Sequence, residues 1–210
     1  MNKKEFIEEL AKLGICLNTK QEDQLEKFYN LLIEWNQKIN LTRITKKEDV
    51  YLKHFYDSLT ISKVVDLNKV ETLCDVGTGA GFPGIVLKIV YPNLNITLVD
   101  SLLKRVNYLN EIIKELGLSN INAIHIRAEE YKEQFDIVTA RAVASLDKLI
   151  PWCWHLVKEN GRFIAMKANI ENEILESNKI LNKKQCKIEK IETLYLPKEE
   201  SLRNLVVIKK

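Results

Sequence analysis

The stretch Leu73-Cys74-Asp75-Val76-Gly77-Thr78-Gly79-Ala80-Gly81-Phe82-Pro83-Gly84 limits what this chain can fold into more than any other part of it. The short apolar run from Val70 to Val76 has the length and content of a buried strand in a parallel sheet. The glycines that follow carry no Cβ, so the backbone can turn sharply and come close to a ligand. Pro83 then suits the first turn of a helix, where a missing N–H loses no bond. Strand, glycine loop and helix in that order read as the seat of a cofactor.

The same alternation repeats downstream. Strands are expected near 70–76, 95–100, 121–126, 135–140 and 161–167, with helices near 83–91, 102–116, 146–158 and 170–182. A series of this kind builds an α/β, Rossmann-like, mostly parallel sheet. Gln185 to Leu196 and Leu202 to Lys209, separated by Pro197 and charged residues, read as a terminal antiparallel pair that brings the sheet to seven strands. Residues 1–65 read as helix throughout. Thr19-x-x-Glu22 looks like a capping box opening a helix that ends near Asn40, its apolar stripe broken only at Asn36. Thr45-x-x-Glu48 looks like a second box, opening a helix that carries Val50, Leu52, Phe55, Leu59 and Ile61. The expected organisation is an N-terminal helical cap, 1–65, on one compact α/β unit, 66–210.

Composition narrows the classes. A chain of 210 residues, 46% of them hydrophobic, supports one full-sized core with room for a small appendage. No apolar run approaches the roughly 20 residues that cross a bilayer, and Met1 to Leu10 lacks the apolar core and cleavage site of a signal peptide. A soluble, cytoplasmic protein is expected. Cys16, Cys74, Cys153 and Cys186 are scattered and without metal-ligand spacing, so they read as reduced packing residues and no metal site is expected. The net charge of +3 suits a nucleic-acid partner, and suits many enzymes of neutral substrates equally well.

Two cofactors compete for the glycine loop. Gly79-x-Gly81-x-x-Gly84 matches the dinucleotide fingerprint letter for letter, and Asp100, closing the second strand, is spaced to accept ribose hydroxyls from either class. Asp75, two residues before Gly77, favours S-adenosylmethionine, since an acid there suits the amino group of a methionine moiety while a pyrophosphate offers it no cation. Asp75, Gly77, Gly79 and Asp100 are therefore candidate cofactor residues. Ala128 and Glu129 follow the third strand, where they either meet an adenine edge or form a solvated acidic pair with Glu130.

On the substrate side, Arg141 ends the fourth strand, at the edge where doubly wound sheets bind ligands, and its planar fork suits a carboxylate, a phosphate or a guanine edge. Lys167 ends the fifth strand on the same rim. Lys38, Arg43, Lys46, Lys47, Lys53 and His54 gather near the cap junction among Glu34, Glu48, Asp49 and Asp57. That grouping is either an RNA-binding surface or a solvated mixed-charge face. His54 reads as a substrate contact or a structural hydrogen-bonding residue, and Trp35 as packing beneath the cap. With no catalytic cysteine and no Asn/Asp-Pro-Pro-aromatic segment after the fourth strand, pyrimidine C5 and exocyclic amines are disfavoured as targets. A small-molecule methyltransferase using the helices as a lid remains the alternative.

Leu32-x-x-Trp35-Asn36-x-x-Ile39-Asn40-Leu41-Thr42, His54-x-x-Asp57-Ser58-Leu59, the glycine loop, Asp100-Ser101-x-x-Lys104-Arg105 and Arg141-Ala142-x-Ala144-Ser145-Leu146 together span nearly the whole chain. Taken together they resemble the glucose-inhibited division protein B (GidB) family of bacterial 16S ribosomal RNA guanine-N7 methyltransferases. The resemblance implies a class I S-adenosylmethionine-dependent methyltransferase fold and transfer to N7 of a guanine in the helix 18 loop of 16S rRNA, on naked RNA or a small-subunit particle, by a monomer. It also implies cofactor-binding positions at Gly77, Phe82, Ala128, Glu129 and Arg141. His54, Lys167 and Arg141 are the residues expected to position substrate. Ala80 and Phe82 depart from the Pro and Leu frequent in that family and keep the loop's character.

Overall fold

A computed structural model describes all 210 residues. Its N-terminal helices are α1 (Lys3–Lys12), α2 (Thr19–Ile39), α3 (Lys47–Val50) and α4 (Asp57–Leu59). Neither expected capping box forms where it was expected. The helix α2 is capped one residue earlier, by Asn18, whose Oδ1 accepts from the Gln21 N–H at 2.9 Å while Gln21 Oε1 accepts from the Asn18 N–H at 3.0 Å. Asn is at least as good a cap as Thr, and Gln21 has a second task, since its amide also donates to the carbonyls of Ile89 and Val90 at 3.0 Å each. The box at Thr45 does not form: α3 starts after Lys46 without a side-chain cap, and of the two acids in its first turn, Glu48 and Asp49, the second pairs with Lys53. The end of α2 falls where expected, at Asn40, which is left-handed at φ 49°. Between α3 and α4 the chain widens into a π-helical turn over Tyr51–Tyr56, which carries Lys53 and His54.

The strands are β1 (Thr72–Val76), β2 (Asn95–Asp100), β3 (Ile121–His125), β4 (Phe135–Arg141), β5 (Val157–Lys167), β6 (Lys187–Tyr195) and β7 (Leu202–Lys209). They form one seven-stranded sheet in the order β3-β2-β1-β4-β5-β7-β6. β1 to β5 pair in parallel, and β7 runs antiparallel to both β5 and β6. The order reverses beside β1, with β2 on one flank and β4 on the other, so a crevice opens at their carboxyl ends. β5 begins at Val157, earlier than expected: the helix before it stops at Cys153 and passes through a 3-10 turn, and the strand starts with a bulge in which Asn160 is left-handed at φ 63°.

Helices cover both faces: α5 (Gly84–Val90) and α6 (Leu103–Glu115) on one, α7 (Leu146–Cys153) and α8 (Glu171–Lys183) on the other. Alternation along β1 divides the core, since Leu73 joins the cluster shared with α5, α6 and the cap while Cys74 and Val76 join the cluster shared with α7. The first cluster is the larger, 35 buried residues against 20, because Phe6, Phe28, Phe55 and other cap residues join the core of the face that carries α5 and α6. Trp35 packs beside this core, edge-on to the buried Tyr108 at 5.7 Å between ring centroids. No helix is long and apolar enough to cross a membrane.

Candidate functional site

Strand parity puts Asp75 on the α5 face of β1, under the glycine loop. Its Oδ2 accepts from Thr78 Oγ1 at 2.7 Å and from the Gly84 N–H at 2.8 Å, so one oxygen ties both ends of the loop to the strand. Its other oxygen, Oδ1, is buried without a partner, alone among the buried side-chain polar atoms. Burial pushes this carboxyl up to about 7, against the opposing pull of the two hydrogen bonds. The close approach requires glycine at two points. A Cβ on Gly84 would meet Leu98 Cδ2 at 2.2 Å, and Gly77, at φ +65°, lies under Val143, whose Cγ2 would be 2.7 Å from an added Cβ.

Asp100 closes β2 at the same edge. Its Oδ2 accepts from the Gly79 N–H at 3.0 Å and, more weakly, from Arg105 at 3.4 Å, and its Oδ1 accepts from the Leu102 N–H at 2.9 Å. Oδ1 keeps a lone pair in reserve, and the half-exposed Arg105 is the partner most easily replaced.

Arg141, at the end of β4, reaches toward the cap. Nη1 donates to the Lys53 carbonyl at 3.0 Å and to Asp57 Oδ2 at 2.9 Å, and Nη2 lies 3.3 Å from His54 Nδ1. The other oxygen of Asp57 accepts from Arg203 Nε at 3.1 Å. Because Arg141 can only donate, His54 Nδ1 is the acceptor of that pair, which leaves Nε2–H to donate to Thr42 Oγ1 at 2.9 Å. His54 is neutral in this setting, its pKa lowered to about 3 by burial and by the Arg141 charge. The His54 ring stacks on Phe82 at 4.4 Å, and the Arg141 guanidinium lies over the same ring at 5.3 Å. One N–H on Nη2 and the Nε–H of Arg141 remain uncommitted.

These groups line one cleft of about 680 Å³, which brings together Gly77, Gly79, Phe82, His54, Arg141 and Lys167. Lys167 is already engaged there, donating to the Ala144 carbonyl and pairing with Glu173 at 2.7 Å. Asp75 and Asp100 support the loop from beneath rather than line the cleft. Ala128 and Glu129 form a short 3-10 turn after β3, also outside its lining, with Ala128 buried and Glu129 exposed. Reasoning from sequence gave no role to Arg203, Glu173 or Thr42, and named Asp57 only within a family motif and among the acids of a grouping read as either an RNA-binding surface or a solvated face. Asp57 carried a usable signal, since it follows His54 by three positions in a helical segment and so shares its face. Arg203 carried none, because its partner is distant in the chain by 146 residues.

The residues present fit S-adenosylmethionine. An unsatisfied buried carboxylate oxygen suits a cationic ligand, and Asp100 has a lone pair left for a hydroxyl. The space beside Gly79 is open, since a Cβ added there would meet nothing nearer than the Gly77 carbonyl at 3.9 Å.

Comparison with known proteins agrees in both sequence and fold. The family model described as rRNA small subunit methyltransferase G (GidB) matches residues 21–206. The whole chain is 48% identical to ribosomal RNA small subunit methyltransferase G of Bacillus subtilis (strain 168), spanning 91% of that protein. It is 49% identical to the protein of the same name from Macrococcus caseolyticus, again over the whole chain and 91% of the relative. Among solved structures, a SAM-dependent methyltransferase from Aquifex aeolicus superposes with a TM-score of 0.60 at 17% identity, over 84% of this chain and 97% of that one. A ribosomal protein L11 methylase from Lactobacillus delbrueckii gives 0.58 at 18% identity, over 81% and 83%. At such identities the solved structures speak for a shared Rossmann-like methyltransferase fold.

Proposed function

The chain belongs to the rRNA small subunit methyltransferase G family, and on that premise we propose that it transfers a methyl group from S-adenosylmethionine to N7 of a guanine in the helix 18 loop of 16S ribosomal RNA. The observation that carries this reading is the single cleft in which the glycine loop meets Arg141, His54 and Lys167. Gly77, Gly79, Phe82 and Arg141 hold the cofactor, with Ala128 and Glu129 on its adenine side and Asp75 and Asp100 fastening the loop and offering oxygen acceptors. When bound, S-adenosylmethionine supplies an electrophilic methyl group on a sulfonium.

Guanine N7 has a free lone pair, so its attack releases no proton and needs no general base. A histidine held neutral and bonded at both ring nitrogens is consistent with this, since His54 has no free nitrogen with which to take a proton. Its part is to position Arg141, and Lys167 positions the Ala144 segment beside it. What the residues contribute is alignment, which can supply much of the rate when reacting atoms are held within attack distance. The reading places the reaction in the cytoplasm, with a single chain acting on naked RNA or on a small-subunit particle.

The test is to incubate the purified protein with methyl-labelled S-adenosylmethionine and unmethylated 16S rRNA or small subunits, then map N7-methylguanine by chemical cleavage. One modified guanine in the helix 18 loop is expected. Cofactor binding without transfer to either RNA form would turn the assignment toward a small-molecule substrate.

A further inference from the structure

The cations at the cap junction are not equivalent. Lys38 pairs with Glu34 at 2.7 Å, Lys47 with Glu26 at 2.6 Å, and Lys53 with both Asp49 and Glu199 at 3.0 Å. Arg43 and Lys46 are exposed, and neither side chain has an ion-pair or hydrogen-bond partner. Both lie on the segment between α2 and α3, and they flank Leu41, Thr42 and Ile44, which line the cleft.

This segment is held firmly. Asn36 Oδ1 accepts from the Thr42 N–H at 2.8 Å, Thr42 Oγ1 accepts from the Ile44 N–H at 3.0 Å, and Tyr29 donates to the Thr45 carbonyl at 3.3 Å. Asn36, the polar break in the apolar stripe of α2, is there to make the first of these bonds. Through Thr42 and His54 the segment is also hydrogen-bonded to Arg141 on the floor of the cleft. A charged group on a pre-ordered loop spends little ordering entropy when it binds.

We propose that residues 40–46 form the rim that grips the substrate RNA, with Arg43 and Lys46 neutralising backbone phosphates next to the target guanine. The assignment rests on the RNA reading above and goes beyond it by naming the contact surface and by excluding the paired lysines 38 and 47 from it. Phosphate contacts release counterions, so each one lost makes the dependence of log affinity on log salt shallower by about 0.7 for single-stranded RNA.

The experiment measures binding across a salt series to whichever of protein-free 16S rRNA or small subunits the unsubstituted protein methylates. The double substitution Arg43→Gln with Lys46→Gln is expected to flatten the salt dependence by about 0.7 per cation, to raise the KM for RNA, and to leave affinity for S-adenosylhomocysteine and the thermal midpoint unchanged. Lys38→Gln with Lys47→Gln is the matched control and should leave the slope as it was. An unchanged slope in the first variant, or equal flattening in both, overturns the rim assignment while the RNA reading stands. An unsubstituted protein that binds and methylates neither RNA overturns the reading, and the rim with it.

Discussion

Asp75 joins a structural duty to an electrostatic cost. Two hydrogen bonds fix the loop to its carboxylate, yet desolvation outweighs them and raises the group to about 7. An acid raised in the folded state binds its proton more tightly there than in the unfolded chain. Its contribution to stability is therefore fully present below the ordinary carboxylate range near 4 and is lost as pH rises through about 7. Asp75→Asn keeps an acceptor for Thr78 and Gly84 but removes the titration. In urea denaturation without cofactor, the stability difference between variant and parent should shift in the variant's favour from pH 4 to pH 8, by on the order of 4 kcal/mol at most. A difference that is flat across that range would mean that the carboxyl ionises normally. Sequence placed this residue at the cofactor seat from its offset to Gly77; its buried, half-satisfied state depends on α5 closing over it.

At the scale of elements, the docking of α2 uses its polar residues as much as its apolar stripe. Gln21 donates to the last carbonyls of α5, Gln24 donates to the Leu116 carbonyl just past α6 at 2.8 Å, and Lys27 bonds the Glu115 carbonyl beside it. The carbonyls at a helix end have no partner within the helix, so one helix satisfies the ends of two others. Gln24→Ala should lower stability by about 1 kcal/mol, near the net worth of a hydrogen bond, and Gln21→Ala, which also loses the capping box of α2, by more. Their effects should add, because they cap different helices. Urea midpoints equal to the parent's would show that solvent replaces these bonds without loss. The helical period of α2 and its end at Asn40 were legible, as were the strands, because periodicity and turn chemistry are local. The exact caps were not. Asn18 and Thr19 are both competent N-caps, and the choice between them depends on where Gln21 must reach, which is a property of α5 and not of α2.

Over the whole molecule, the cap and the sheet share one core. The larger cluster runs from Phe6 and Leu10 through Phe55 and Phe82 to Leu205 and Val207, so the first and last elements of the chain contribute to it together. Expressed without residues 1–65, the remainder would expose the apolar faces of α5 and α6, and it is expected to show no cooperative thermal unfolding by circular dichroism. A sharp transition in that fragment would establish that the sheet and its helices fold alone. The chain's own order of residues determined the alternating strands and helices, the glycine seat, the antiparallel end and the acidic and basic residues at strand termini, since each follows from patterns a few residues long. Only tertiary structure decided that Arg141 turns toward the cap, that Asp57 joins it to Arg203, that His54 is neutral, and which cations of the segment beside the cleft stay unpaired. Those outcomes depend on burial and on partners far apart in the chain, and no local pattern encodes either.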